Sequence, residues 1–375
     1  MRTRLRYASL LTISLAVMGC TEKPSEGVAI GLAPGTGSVE TTPAVKGDPA
    51  DVVDRLKQAA TNVKLDGNGF VTDVDFRGAT IDDKTLEQLA GLEHVQSLLL
   101  NDTPITDAGL EVVGQLKSLR TLDLRGCGVS NDGMTHLTGL SNLRALRLSG
   151  SGGATTVDDD GLKSLAGLTS LKALSLDFLW VSEVGLAELS ELKELEELYL
   201  AKTLVGDEAL PLLKQFPKLK KLRISQTQVS SAGLEHLAAL TTLEDLDLSE
   251  NSQIFDDGMK HLAGLTSLKR LNLWRDALTN AGMEPLAGLT NMEWLNVDNT
   301  QLSDAGLKHF AEMKKLTFLH LGSTSVSDAG LPQLEGLTSL KDLKVTRTAV
   351  SAAGVAKLKE KLPETEIQLK YIEGE

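Results

Sequence analysis

The chain has 375 residues, 41% of them hydrophobic, 24% charged and only 3% aromatic. That is ordinary for a folded chain, and the core must be aliphatic. The formal charge of −13, about −16 once a leader with Arg2, Arg4 and Arg6 is removed, disfavours nucleic acid and anionic membrane surfaces, which repel a negative body.

Residues 1–20 read MRTRLRYASLLTISLAVMGC. Three arginines precede a short apolar run from Leu10 to Met18, too short to cross a bilayer. The junction Val17-Met18-Gly19-Cys20 resembles the bacterial lipobox, in which the cysteine is acylated and becomes the new N-terminus. The resemblance implies lipid attachment at Cys20 and membrane anchoring. Thr21 is not the aspartate that holds such lipoproteins at the inner membrane, so an outer-membrane place in the bacterial envelope is favoured. With Cys20 acylated, Cys127 is the one remaining cysteine, and stability must come from packing rather than a disulfide.

Residues 21–50 are rich in Gly, Pro, Ser and Thr without apolar period, the composition of a disordered tether. The stretch GLAPGTGS lacks the Gly-Lys-Ser/Thr ending of a phosphate loop. Residues 51–70 should form an N-terminal cap: an amphipathic helix over 51–60, then a hairpin turning at Asp66-Gly67-Asn68-Gly69.

From Val71 onward the sequence repeats every 24 residues. Units start at Val71, Val95, Leu119, Leu143, Leu171, Leu195, Leu219, Leu243, Leu268, Met292, Leu316 and Leu340. The unit from Leu143 is four residues longer and that from Leu243 one longer. The pattern is LxxLxLxxTx[IVL][ST]DxGLxxLxxLxx. The Leu-x-Leu pair predicts a short strand. Thr103, Thr203, Thr227, Thr300, Thr324 and Thr348 follow it where the chain turns inward, and Cys127 and Asn251 take that place in two units; such side chains can satisfy turn backbone. A Ser or Thr N-cap and an Asp come next, as in Thr106-Asp107, Ser303-Asp304 and Ser327-Asp328. Leucines at threes then give a short helix with one buried stripe, as in Leu331, Leu334 and Leu337. One unit cannot bury its apolar residues alone, so units must stack. Repeats run over 71–361, and 362–375 should close the array, with Pro363 ending the last helix and a strand at 367–371.

These units resemble the leucine-rich-repeat superfamily, in the 24-residue bacterial form similar to the GALA and cysteine-containing subtypes. The resemblance implies an α/β fold: a right-handed solenoid, or horseshoe, with a concave parallel sheet and short convex helices.

In-register stacking turns equivalent positions into columns. The second and third residues of each unit are expected on the concave face. They read Glu196-Glu197, Lys220-Lys221, Glu244-Asp245, Lys269-Arg270, then Glu293-Trp294. Alternating charge suggests neighbours neutralising one another. Where it stops, aromatics begin. Trp294 and Phe318 occupy the third position of successive units, His320 lies two residues further, and Trp274-Arg275 follow the preceding strand. With Tyr199 on the same face, these form the candidate binding site. The insertion at 149–156, SGSGGATT, has no aromatic or charge and reads as a tolerated loop. His136, His236, His261 and His309 share one repeat position without ligand partners, so no metal is expected. No catalytic motif is present, and no cofactor is implied.

The reading is therefore a non-enzymatic, membrane-anchored binding protein, monomeric, taking a protein or peptide on its concave face. A glycan stacked on Trp274, Trp294 and Phe318 is the alternative, and a passive structural envelope component is a third.

Overall fold

The computed structural model describes residues 47–370. The leader with Cys20, the tether up to residue 46 and Tyr371 lie outside the described residues.

Each unit folds for the same reasons. In the unit from Leu195, the side chains of Leu198 and Leu200 alternate inward along the extended segment, and with Leu195 they are fully buried. Lys202 then turns the chain in the left-handed conformation, and buried Thr203 donates its hydroxyl to Leu200 O at 2.7 Å. Val205, Leu210, Leu213 and Phe216 complete the interior. Burial of leucine-sized groups contributes about 1.5–3 kcal/mol each, which is what offsets the entropy of ordering the unit.

Among the described residues, fourteen strands form one sheet in strict sequence order. A helix, Ala50–Ala59, comes first, and its Val53 and Leu56 are buried. The strands Asn62–Leu65 and Val71–Asp75 follow as an antiparallel hairpin. Every later strand is parallel to its predecessor. Most are three residues long, and their register matches unit to unit, as in Leu198↔Leu222 and Leu222↔Leu246. The last helix is Ala352–Lys361, and the final strand, Glu366–Gln368, adds to Asp342–Lys344.

The returning legs are α-helical in several early units, as at Asp107–Val113 and Glu183–Glu188. They are 3-10 helical in later ones, as at Gly233–Ala239 and Asp304–Phe310. Strands stack about 4.8 Å apart, whereas α-helices pack 8–10 Å apart. The tighter 3-10 turn eases that mismatch.

The D-x-G of the pattern has a function that helix-dipole reasoning alone does not reveal. The Asp107 carboxylate accepts from the Ser130 backbone N–H at 2.8 Å and from its hydroxyl at 2.6 Å, one unit on. Asp159 with Ser182, Asp207 with Ser230, Asp304 with Ser327 and Asp328 with Ser351 repeat this clamp. A Cβ on Gly133, Gly185, Gly233, Gly330 or Gly354 would collide with the same aspartate. The glycine thus makes room for the preceding unit's carboxylate. No helix of the described residues is long and apolar enough to cross a membrane.

Candidate binding face

The sheet face away from the core is built from the third and fifth residues of each unit, which flank the buried central leucine. The second residue, expected on this face, sits one step before the strand and forms its own column at the strand entry. In that column Glu196 takes Lys172 and Lys220, each at 2.7 Å. The two ammonium groups lower the Glu196 carboxyl to about 2. Glu244 takes Lys269 at 2.7 Å. In the third-position column Lys221 meets Glu197 at 2.7 Å and Arg270 meets Asp245 at 3.3 Å. Arg223, at a fifth position, reaches both Asp177 at 3.2 Å and Asp247 at 3.4 Å. The charged rows pair with their neighbours, as the alternation suggests.

The aromatic residues continue this column rather than interrupt it. Register puts Arg270, Trp294, Phe318 and Asp342 in line. The Arg270 guanidinium lies 4.4 Å from the centre of the Trp294 ring. Trp294 stacks on Phe318 at 5.0 Å with 5° between planes, and His320 stands edge-on to Phe318 at 6.3 Å. Trp294 and Phe318 are half-buried. Both faces of the indole are covered by the chain itself, so its edge is what solvent meets.

Beside this column run Asn272, Asn296, His320 and Lys344. One step beyond them lie Trp274, Asp298, Gly322 and Thr346. Gly322 forms the floor of a small polar notch. A Cβ there would come within 2.9 Å of His320 Nε2, Asp298 Oδ1 and Thr346 Oγ1.

The structure brings Trp294, Phe318 and His320 together. Trp274 and Arg275 form a separate pair at 5.3 Å, with Arg275 also 3.2 Å from Glu250. Tyr199 is further off: Arg223 lies 5.3 Å from its ring, and its hydroxyl donates to Glu197 at 2.9 Å. Burial and the Glu197 charge push that phenol up. Sequence reasoning missed Arg270 as a stacking partner, although its column neighbour Trp294 was visible. It also missed the Asp298–Gly322–Thr346 notch, which requires register across three units. Among the described residues, no group of three or more His, Cys, Asp or Glu could hold a metal ion.

With the repeat geometry in view, comparison with known proteins is direct. Family models described as leucine rich repeat match residues 115–137, 239–263 and 266–326. The chain contains leucine-rich repeats. An internalin from Listeria monocytogenes superposes with a TM-score of 0.54 at 22% identity, covering 68% of this chain and 75% of that one. The leucine-rich-repeat ectodomain of the plant membrane receptor kinase GASSHO1/SCHENGEN3 from Arabidopsis thaliana superposes with a TM-score of 0.52 at 17% identity, covering 83% of this chain and 40% of that one. That ectodomain was solved in complex with Casparian strip integrity factor 2. No curated protein matches the sequence. The likeness establishes the leucine-rich-repeat solenoid fold.

Proposed function

We propose that this protein is a non-enzymatic binding module, held at a bacterial envelope by a lipid on Cys20, that takes a protein or peptide on the sheet face of its C-terminal third. The observation that carries the reading is the block of side chains around Trp294: stacked Arg270, Trp294 and Phe318 beside the notch of Asp298, His320 and Thr346. It offers preordered apolar edges next to polar groups, the combination that anchors protein partners at low entropic cost. An extended segment lying along the strand direction would cross all three columns.

A glycan partner fits less well. Sugars stack on open ring faces, and both faces of Trp294 are taken by Arg270 and Phe318. Photo-crosslinking in native cells from positions 294 and 318 tests the proposal, with Trp294→Ala and Phe318→Ala as companions. Crosslinks to one defined protein, lost in the alanine variants, are expected. Unchanged partner affinity in both variants would refute the site. For the tether, Cys20→Ser should abolish labelling by a fatty-acid probe and release the protein from membranes; retained labelling would refute the anchor.

A further inference from the structure

Six large hydrophobic side chains stand exposed among the described residues, and four come from two adjacent units: Phe178 (39% exposed), Trp180 (77%), Val184 (57%) and Leu204 (47%). Phe178, Trp180 and Leu204 lie where the chain leaves the strands Ala173–Asp177 and Glu197–Tyr199, and Val184 lies in the helix Glu183–Glu188. Backbone bonds hold the two stretches side by side: Phe178 N–H to Ala201 O at 2.8 Å, and Leu204 N–H to Val181 O at 2.9 Å. Lys202 Nζ sits 5.3 Å from the centre of the Phe178 ring.

The repeat does not require these residues. Where Trp180 stands, other units carry Gly128, Gln228, Gln301, Ser325 or Ala349. Where Phe178 stands, others carry Gly78, Gly126 or polar residues such as Gln226 and Glu250. Phe178 is held at φ 65°, the left-handed conformation that Asp102, Lys202, Gln226 and Glu250 also take at this position, so the backbone calls for glycine or a polar residue there and not for an aromatic ring. An exposed phenylalanine beside a tryptophan more than three-quarters exposed gains the fold little, and clustered exposed apolar side chains of this kind mark interaction surfaces. On the other flank lies the inserted loop at 149–156. Gly150 N–H donates to Asp177 O at 3.0 Å, and the loop carries no side chain larger than threonine. It leaves the patch uncovered.

Charge defines what fits. The helix starts that follow carry Asp158, Asp160, Glu183 and Glu208, while Asp159 and Asp207 are held in the clamps with Ser182 and Ser230. A parallel backbone bridge sets Asp158 beside Trp180. The nearby cations are Lys163, already 2.6 Å from Asp160, and Lys202 over Phe178. Four side chains offer a few hundred Å² at most, below the roughly 800 Å² per partner of a stable interface between folded proteins. That argues against a second copy, and the acidic fringe argues against an anionic lipid surface.

We infer that this rim is a second docking surface, distinct from the sheet face, for a short basic amphipathic segment of a partner protein. Its apolar stripe covers Phe178, Trp180 and Leu204, and its lysines or arginines meet the carboxylates at the helix starts. The test is calorimetric titration of the full chain with two short synthetic helical peptides. They share one leucine stripe, and the polar positions are lysine in one and glutamate in the other. The lysine peptide should bind, weaken with added salt, and lose about tenfold or more in affinity with Trp180→Ala. It should be indifferent to Trp294→Ala, which separates this surface from the sheet-face site. Equal binding of both peptides, or a Trp180→Ala variant that titrates like the parent, overturns the inference. So does Trp180-dependent self-association in sedimentation, or Trp180-dependent binding to phosphatidylcholine vesicles without peptide binding. Trp180 is exposed, so circular dichroism of the variant should match the parent.

Discussion

Asp276 Oδ1 accepts the backbone N–H of Asn251 at 3.0 Å, and both side chains are buried at the same position of consecutive units. Asn251 shows what that position requires. Its Oδ1 takes the Thr227 N–H at 2.8 Å, and its Nδ2 donates to Leu248 O at 2.6 Å and Ile224 O at 2.9 Å. The threonines elsewhere donate in the same way, Thr300 to Val297 O at 2.8 Å and Thr324 to Leu321 O at 2.6 Å. The site needs a donor, and Asp276 supplies one only when protonated. Its Oδ2 finds no partner among the described residues. Burial first, then the charges of Asp247 and Glu250, push its carboxyl up to about 9 against the Asn251 bond.

A stability prediction follows for Asp276→Asn, which keeps the acceptor and installs the donor. The folded pKa is raised, so stability is complete below about pH 4. It declines as pH rises toward 9, because the unfolded carboxyl ionises while the folded one does not. The slope is about 1.4 kcal/mol per pH unit, giving at most about 4 kcal/mol at pH 7. Asp276→Asn should therefore raise stability by about 2–4 kcal/mol at pH 7, with the gain vanishing near pH 4. Urea melts at a series of pH values measure it. A pH-independent difference would show that Asp276 is not protonated in the fold.

The Asp107–Ser130 clamp and Gly133 form a second testable unit. Gly133→Ala should cost about 2–4 kcal/mol, since the new methyl displaces the carboxylate and leaves the Ser130 N–H unsatisfied. Asp107→Ala should cost about 1–3 kcal/mol through the same lost bonds. The double variant should be less damaged than the sum by about 1 kcal/mol or more, because the clash needs both groups. Strict additivity in denaturant melts would mean that the glycine serves some purpose other than making room.

The repeat, its 24-residue period and the self-paired charged rows were legible because period-2 and period-3 apolar patterns are local, and because parallel register makes columns of equivalent positions. Three things were not legible. The Asp-to-Ser bonds cross between units, so D-x-G read as a helix start alone. Arg270 stacking on Trp294 depends on side-chain direction within a column, and that decides whether a ring face is open. Phe178 and Trp180 departed from the repeat at surface positions, but a consensus built to find the core gives such departures no weight.

The left-handed residue after each strand is set by backbone geometry rather than by side chain. Asp102, Lys202, Gln226, Glu250, Arg275, Asn299 and Ser323 all adopt φ between 51° and 61° there, and Gly126 does at 75°. Ser323→Gly should be neutral to stabilising by about 0.5–1 kcal/mol, relief of strain slightly exceeding the added unfolded-state entropy. Gly126→Ala should cost about 1–2 kcal/mol, and its Cβ would also crowd Asp102 Oδ1 at 2.7 Å. Thermal melts of the two variants should shift in opposite directions. A matching loss in both would mean that the side chain at this position matters more than the backbone.

The stack of Arg270, Trp294 and Phe318 joins fold and binding in one column, and a double-variant cycle can separate the two. Arg270 has two partners, the indole face at 4.4 Å and Asp245 at 3.3 Å. Arg270→Ala alone therefore removes both. The coupling between Arg270→Ala and Trp294→Ala isolates the ring contact, expected at about 0.5–1 kcal/mol for a partly exposed pair. Trp294→Phe should retain much of it, since a flat ring remains under the guanidinium, whereas Trp294→Leu should not. If the stack is a preordered binding platform, Arg270→Ala should also weaken the partner crosslinked from position 318, by loosening the indole rather than by losing a direct contact. A normal coupling energy with unchanged partner affinity would make the stack a structural filler and move the binding surface elsewhere on the sheet.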